Sequence, residues 1–307
     1  MLGEDEMAHR VVYALLVILF LFLEGETMCK TLSESIEVIK ESTVQIGFAI
    51  SGLDEELRKK VQRNWVRQPA GSGFFVSYEG HVITALHVIE GMEKTLSSVK
   101  GKEKKMYVNV PLPPLEDVVN KNLVLGTFIP LDFDIVDRDE AHDIALLKLK
   151  TNPFTREFME RSKKQVVIGG KSQAFVGRPV SFNARRPGDG SHIAVSGFPL
   201  GEASLITNSG FVATSWATYK NPSKPKNREF NVYLGDVQVN FGNSGGSVYL
   251  VEDGSVIGMC VAHKLTPAAV KPFGFDIRTN SGLTIIVPAK HVVEMLKKNS
   301  VNFEYVK

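Results

Sequence analysis

The sequence predicts an all-β fold with a short helix near its beginning and another near its end. Residues 71–87 carry two apolar runs, Phe74-Phe75-Val76 and Val82-Ile83, on either side of Glu79-Gly80, which reads as two strands joined by a tight turn. Residues 248–257 alternate in polarity around Asp253-Gly254 and read as a second hairpin. Helix signals are fewer and local. Thr31 and Glu34 stand at capping-box spacing with Leu32, Ile36 and Ile39 on one face. Pro288 opens a closing segment whose Val292, Val293, Met295 and Leu296 share one side before Lys297-Lys298-Asn299.

The chain has 307 residues, 43% hydrophobic and 23% charged, enough apolar material for one large domain or two small ones. A net charge of +2 singles out no partner. Two cysteines, Cys29 and Cys260, exclude a disulfide framework, and Cys260 in its apolar run reads as a small buried hydrophobe. Thirteen uninterrupted apolar residues at 11–23 fall short of the roughly 20 that span a bilayer upright. They suit the core of a signal peptide, with a retained membrane anchor as the alternative for residues 1–28. Glu4-Asp5-Glu6 is an acidic lead where a basic one is expected, whereas initiation at Met7 leaves Met7-Ala8-His9-Arg10 in front.

A strand at 43–50 follows the first helix. Residues 52–68 then place Leu53, Leu57, Val61 and Trp65 four apart, with Asp54, Glu55 and Glu56 ahead of Arg58, Lys59 and Lys60, the period and charge order of a helix. Residues 100–105 read as a charged loop tip, 106–110 as a strand and 154–164 as a polar connector between two halves. Residues 220–228 read as an exposed basic loop; a nucleic-acid surface would want basic and aromatic residues over a whole face.

The stretch with chemical content is Phe241-Gly242-Asn243-Ser244-Gly245-Gly246-Ser247. A serine hydroxyl needs an adjacent base, an orienter for that base and donors for the oxyanion that forms. Glycines around Ser244 let the Gly242 and Ser244 amides point at one spot. Seen alone the run is equally a Gly/Asn/Ser turn. His87 stands just past the second strand of the first hairpin, and Asp143 immediately before the apolar run at 144–149, where a carboxylate can be desolvated while it accepts from an imidazole. Asp132, Asp134, Asp137 and Asp139 compete with it, but only Asp143 opens the long apolar run. Each alone is also an ordinary strand-end residue. Together they run His, Asp, Ser at separations of 56 and 101 residues, the chain order of a chymotrypsin-type triad.

These segments resemble the trypsin-like serine peptidases, most closely their HtrA/Deg branch, in Thr84-Ala85-Leu86-His87, Asp143-Ile144-Ala145-Leu146-Leu147-Lys148 and Gly242-Asn243-Ser244-Gly245-Gly246. The resemblance runs from about Glu34 to Lys298. It implies two packed antiparallel β-barrels of the chymotrypsin type, the first over residues 31–165 with His87 and Asp143, the second over 166–299 with Ser244 and the closing helix. Residues 194–201 and 206–212 look like the strand, turn and strand that open the second barrel, and 256–262 like the strand lining the cleft.

The implied activity is that of a serine endopeptidase with His87 as base, Asp143 as orienter and Ser244 as nucleophile. Gly242, Asn243 and Ser244 would form the oxyanion loop. Gln238 would lie near the base of the primary pocket and Val261, Ala262 and His263 on its wall. With no acid at that base, a medium apolar residue is expected before the scissile bond. The resemblance implies polypeptide substrates, unfolded proteins among them, in quality control or processing. It calls for no cofactor, metal or nucleic acid, leaves room for a homo-oligomer, and confines membrane contact to the N-terminal segment of an extracytoplasmic protein. The eight residues after Asn299 are too few for the PDZ domain that often follows, so gating through such a domain is not expected. Asn243 is uncharged, and a cut at Val166-Val167-Ile168-Gly169-Gly170 would separate His87 and Asp143 from Ser244, so loop order is the expected route of control rather than zymogen cleavage.

Two rival readings follow from the same residues. Gly242-x-Ser244-x-Gly246 matches the nucleophile elbow of α/β-hydrolases, with Asp276 and His291 in the required order, but that elbow must lead into a helix, whereas residues 248–257 read as a hairpin. The other rival is a catalytically silent barrel that binds or chaperones polypeptides.

Overall fold

The computed structural model describes residues 30–51, 65–99, 103–112, 128–165, 167–168, 171–172, 175, 177–202, 204–221, 229–267 and 278–306. The apolar segment at 11–23, Cys29, most of the basic loop at 220–228 and Asp276 lie outside them. In chain order the elements are α1 (Leu32–Lys40), β1 (Thr43–Ser51), β2 (Trp65–Ser77), β3 (His81–Ala85), α2 (Leu86–Ser98), β4 (Glu103–Pro111), β5 (Phe128–Leu131), β6 (Phe133–Asp139), β7 (Ile144–Leu149) and α3 (Arg156–Gln165). Then come β8 (Val167–Ile168), β9 (Lys171–Ser172), β10 (Ser181–Phe182), β11 (His192–Gly197), a 3₁₀ turn (Pro199–Gly201), β12 (Ile206–Tyr219), β13 (Phe230–Asp236), β14 (Ser247–Leu250), β15 (Val256–Pro267), β16 (Arg278–Pro288), α4 (Ala289–Lys298) and β17 (Glu304–Tyr305).

The expected mostly-β architecture of chymotrypsin type is present. The first sheet is an antiparallel half-barrel in the order β5-β4-β1-β2-β3-β7-β6. In the second, β14-β11-β12-β13-β16-β15 closes into a six-stranded antiparallel barrel through the β14–β15 pairing. The short strands β10 and β17 add to it in parallel. One large apolar core joins both sheets to the C-terminal helix, through Phe74, Phe75, Ile83, Leu146, Phe182, Val287 and Leu296. A smaller cluster of Val195, Val248, Ile257, Cys260 and Ile286 lies with the second barrel. Burial pushes the Cys260 thiol up to about 12, so it is an inert apolar filler.

The ends form as their signals predict. Thr31 caps α1 with a reciprocal capping box to Glu34, and Pro288 sits at the N-cap of α4. Two expectations are corrected. The helix expected to run to Gln68 does not, because Trp65–Gln68 pair with Phe48–Ser51 as the start of β2. Residues 52–64 of that expectation lie outside the described residues. The loop tip expected to reach Lys105 ends earlier, because Glu103–Lys105 pair with Ala49–Ser51. In both places the backbone donors and acceptors of β1 recruit neighbours into a ladder, and tertiary pairing overrides a local pattern.

Candidate active site

Where β3 gives way to α2, the first helical amides lack partners within their own turn. Ala85 occupies the N-cap position and has no side chain with which to cap. Asp143, brought alongside by the pairing of β7 with β3, does this instead. Its backbone carbonyl accepts from Leu86 N–H at 3.0 Å and its Oδ1 accepts from His87 N–H at 2.8 Å. Its Oδ2 lies 2.7 Å from His87 Nδ1. A carboxylate only accepts, so Nδ1 carries the proton and donates, and Nε2 is the ring nitrogen that Asp143 does not engage. Asp143 is buried at 4% exposure and holds φ of 60°, a left-handed conformation in which aspartate is among the tolerated residues. The negative charge at the start of α2 is favoured by the helix dipole as well.

Three of the four competing aspartates are engaged elsewhere, and Asp132 is exposed. Asp139 accepts from His142 Nδ1 at 2.7 Å, Asp137 from Lys298 and Asn299, and Asp134 pairs with Lys150 at 3.3 Å. Burial opposes ionisation of Asp139, but hydrogen bonds from His142 and Ala141 hold its carboxyl below the ordinary range. Tyr219 has its phenol pushed up by burial and by the nearby Asp143 charge. Among the described residues no group of three or more potential ligands could hold a metal ion.

Ser244 sits in a tight turn between β13 and β14 that packs against the β3–α2 junction. Gly245, at φ of 87°, is the contact: a Cβ there would lie 2.1 Å from the Ser72 carbonyl oxygen, 2.4 Å from Thr84 Oγ1 and 2.9 Å from the Ala85 amide. Only a residue without a side chain lets the serine turn come this close to the segment bearing His87. The Ser244 hydroxyl donates to the Val261 carbonyl at 3.4 Å, a long contact. The turn leads directly into strand β14, so the strand-to-helix elbow of an α/β-hydrolase is excluded, and His291 lies on α4, stacked on His142 at 3.7 Å.

The trypsin-like peptidase domain family matches residues 71–259, more than half of the chain. The chain belongs to that family. Among its relatives, serine protease HTRA1 of Xenopus laevis is 26% identical over 190 residues, covering 62% of this chain and 30% of that protein. A probable periplasmic serine endoprotease DegP-like of Halomonas elongata is 25% identical over 194 residues, covering 63% of this chain and 29% of that protein. The chain thus matches under a third of the length of these curated relatives. Among solved structures, the HtrA-type protease AlgW with decapeptide superposes with a TM-score of 0.54 at 16% identity, covering 87% of this chain and 67% of that one. The Rv3671c protease from M. tuberculosis in its active form gives 0.50 at 18% identity, covering 88% and 86%. At these identities the structural likeness is one of fold.

Within this trypsin-like domain the substrate-side residues separate. Val261 buries its side chain in the core and offers its carbonyl to Ser244. Ala262 and His263 follow on β15, half-buried, and the His263 ring meets Phe241 edge-on at 5.7 Å. Phe241 is 78% exposed beside the serine turn, an apolar surface absent from the sequence expectations. Gln238 is exposed, with its carbonyl held by Asn208 Nδ2 at 2.7 Å. The Asn243 amide is taken by the Asn240 carbonyl at 3.1 Å, while those of Gly242 and Ser244 have no acceptor among the described residues. Sequence reasoning placed His87 at a strand end and overlooked helix α2. The spacing of Leu86, Ile89 and Met92, all buried, carried that signal.

Proposed function

We propose that this trypsin-like domain is a serine endopeptidase acting through Ser244, His87 and Asp143. The observation that carries the reading is the double hold of Asp143 on His87, one oxygen on its amide and the other on its ring, beside the serine turn. Ser244 attacks a peptide carbonyl as His87 Nε2 takes its proton, and the imidazolium is stabilised by the Asp143 carboxylate. The Gly242 and Ser244 amides receive the oxyanion, His87 returns the proton to the leaving amine, and water releases the acyl group by the same steps in reverse order.

Polypeptides, unfolded ones included, are the substrates, with a medium apolar residue before the scissile bond. The exposed Phe241 and the His263 edge support an apolar rather than a charged preference. The DegP-like relative supports an extracytoplasmic location. One observation favours a second reading, a resting or silent barrel, because the Ser244 hydroxyl is directed to the Val261 carbonyl.

Labelling with a fluorophosphonate, beside hydrolysis of an unfolded protein, separates the two. Ser244→Ala should abolish labelling and lower turnover by about four to six orders of magnitude, and His87→Ala should lose both as well. A folded wild type that neither labels nor hydrolyses would refute the peptidase reading.

A further inference from the structure

The serine turn is held from outside by one residue of the other sheet. Ser72, fully buried on β2, donates from Oγ to the Gly242 carbonyl at 2.6 Å. The same Oγ accepts from Phe198 N–H at 2.8 Å. Its backbone N–H donates to the Ser244 carbonyl at 2.9 Å, and its own carbonyl is held by Thr84 Oγ1 at 2.7 Å. Ser72 thus grips the turn on either side of Asn243 and Ser244, and is itself tied to the strand that leads to His87.

The pattern of peptide groups shows what this grip does. The groups joining Gly242 to Asn243 and Ser244 to Gly245 are bonded at both ends: their carbonyls go to Ser72, and their N–H groups to Asn240 and Cys260. The groups that alternate with them, Phe241–Gly242 and Asn243–Ser244, are bonded among the described residues only through their carbonyls, Phe241 to Leu200 N–H at 2.6 Å and Asn243 to Gly246 N–H at 2.8 Å. A trans peptide is planar, so fixing its carbonyl fixes the opposite direction of its N–H. The two N–H groups left over are those of Gly242 and Ser244. Gly242 holds φ of 99° and has the freedom to turn its neighbouring peptides over unless they are tied.

We infer that Ser72 is a positioning residue, which clamps the serine turn across the barrel interface so that the Gly242 and Ser244 amides stay aimed as an oxyanion site. The inference rests on the peptidase reading above. Removing the hydroxyl leaves the Gly242 carbonyl and Phe198 amide unpaired and the turn free to rearrange, while the substrate-facing side chains are untouched.

The test uses the full chain with Ser72→Ala and Ser72→Cys, the latter filling the site with a weak S–H donor. Folding is checked by circular dichroism, and each variant is assayed for peptide hydrolysis and for affinity toward a peptide boronic acid, which forms a tetrahedral adduct. Ser72→Ala should lower kcat and boronate affinity together by about 10- to 100-fold with KM within about twofold, and Ser72→Cys should fall between it and wild type. If Ser72→Ala does not fold, Ser72→Cys carries the comparison. A folded variant with wild-type kcat, or one that loses only KM, overturns the inference. Should the wild type be inert, the peptidase reading fails separately, and amide hydrogen exchange judges the clamp. Faster exchange at Asn243 and Gly245 in the variant is expected, and unchanged exchange overturns it.

Discussion

Acid should weaken this fold through His291 before the carboxylates of the structure titrate. The His291 ring lies on α4, stacked on His142 at 3.7 Å and 15° between planes. Its Nδ1 is 3.2 Å from Glu294, and its buried Nε2 has no hydrogen-bond partner among the described residues. Asp137, Arg138, Asp139, Glu140 and Lys298 line the cleft beside it, with Lys290 nearby on its own helix. Burial, together with the neighbouring His142, pushes its pKa down from 6.5 to about 4, against a smaller opposing pull from Glu294. The unfolded chain therefore takes up this proton first as pH falls. The His291 contribution is unchanged above about 6.5, is lost between 6.5 and 4, and levels off below. At ~1.4 kcal/mol per pH unit, the full loss is on the order of 3 kcal/mol. His291→Phe keeps a ring against His142 and removes the titration. Denaturant unfolding of both proteins at pH 7, 6, 5 and 4 isolates the effect, because carboxylates away from His291 cancel in the difference. The wild type should lose about 3 kcal/mol relative to the variant over this range. A change in the difference of under about 1 kcal/mol would refute the reasoning.

Asp143→Asn keeps the shape of the side chain but removes the acceptor-only carboxylate that fixes the His87 tautomer, so kcat on a peptide substrate should fall by about 10³- to 10⁴-fold with little change in KM. Gly245→Ala combines a left-handed φ of 87° with a Cβ only 2.1 Å from the Ser72 carbonyl oxygen. It should cost about 2 kcal/mol or more, read as a fall in the denaturation midpoint.

Much of the fold and the candidate site was legible because the signals are local. Alternation around Glu79-Gly80 and Asp253-Gly254 marks hairpins wherever it occurs, and the Thr31–Glu34 capping box closes within a single turn of chain. Asp143 was preferred to its rivals because it alone opens a long apolar run, and in the fold it bonds to the amide and ring of His87. Tertiary pairing decided what local pattern could not. Trp65–Gln68 carry a helical period yet lie in a strand, since the ladder offered by β1 outweighs the period of their side chains. The start of helix α2 was hidden because its cap is supplied 56 residues away by Asp143, which left only the spacing of Leu86, Ile89 and Met92 to mark it.

By itself the sequence determined which groups of chemical consequence exist and in what order, and which stretches prefer strand to helix. Whether one half-barrel is left open and the other closes, which carbonyl the Ser244 hydroxyl meets, and that Ser72 holds the turn from across the interface were decided only on folding. Strand propensity and turn chemistry act over a few residues. Hydrogen bonds such as that from Ser72 to Gly242, 170 residues apart, come into being only when two sheets pack and their buried polar groups must find partners.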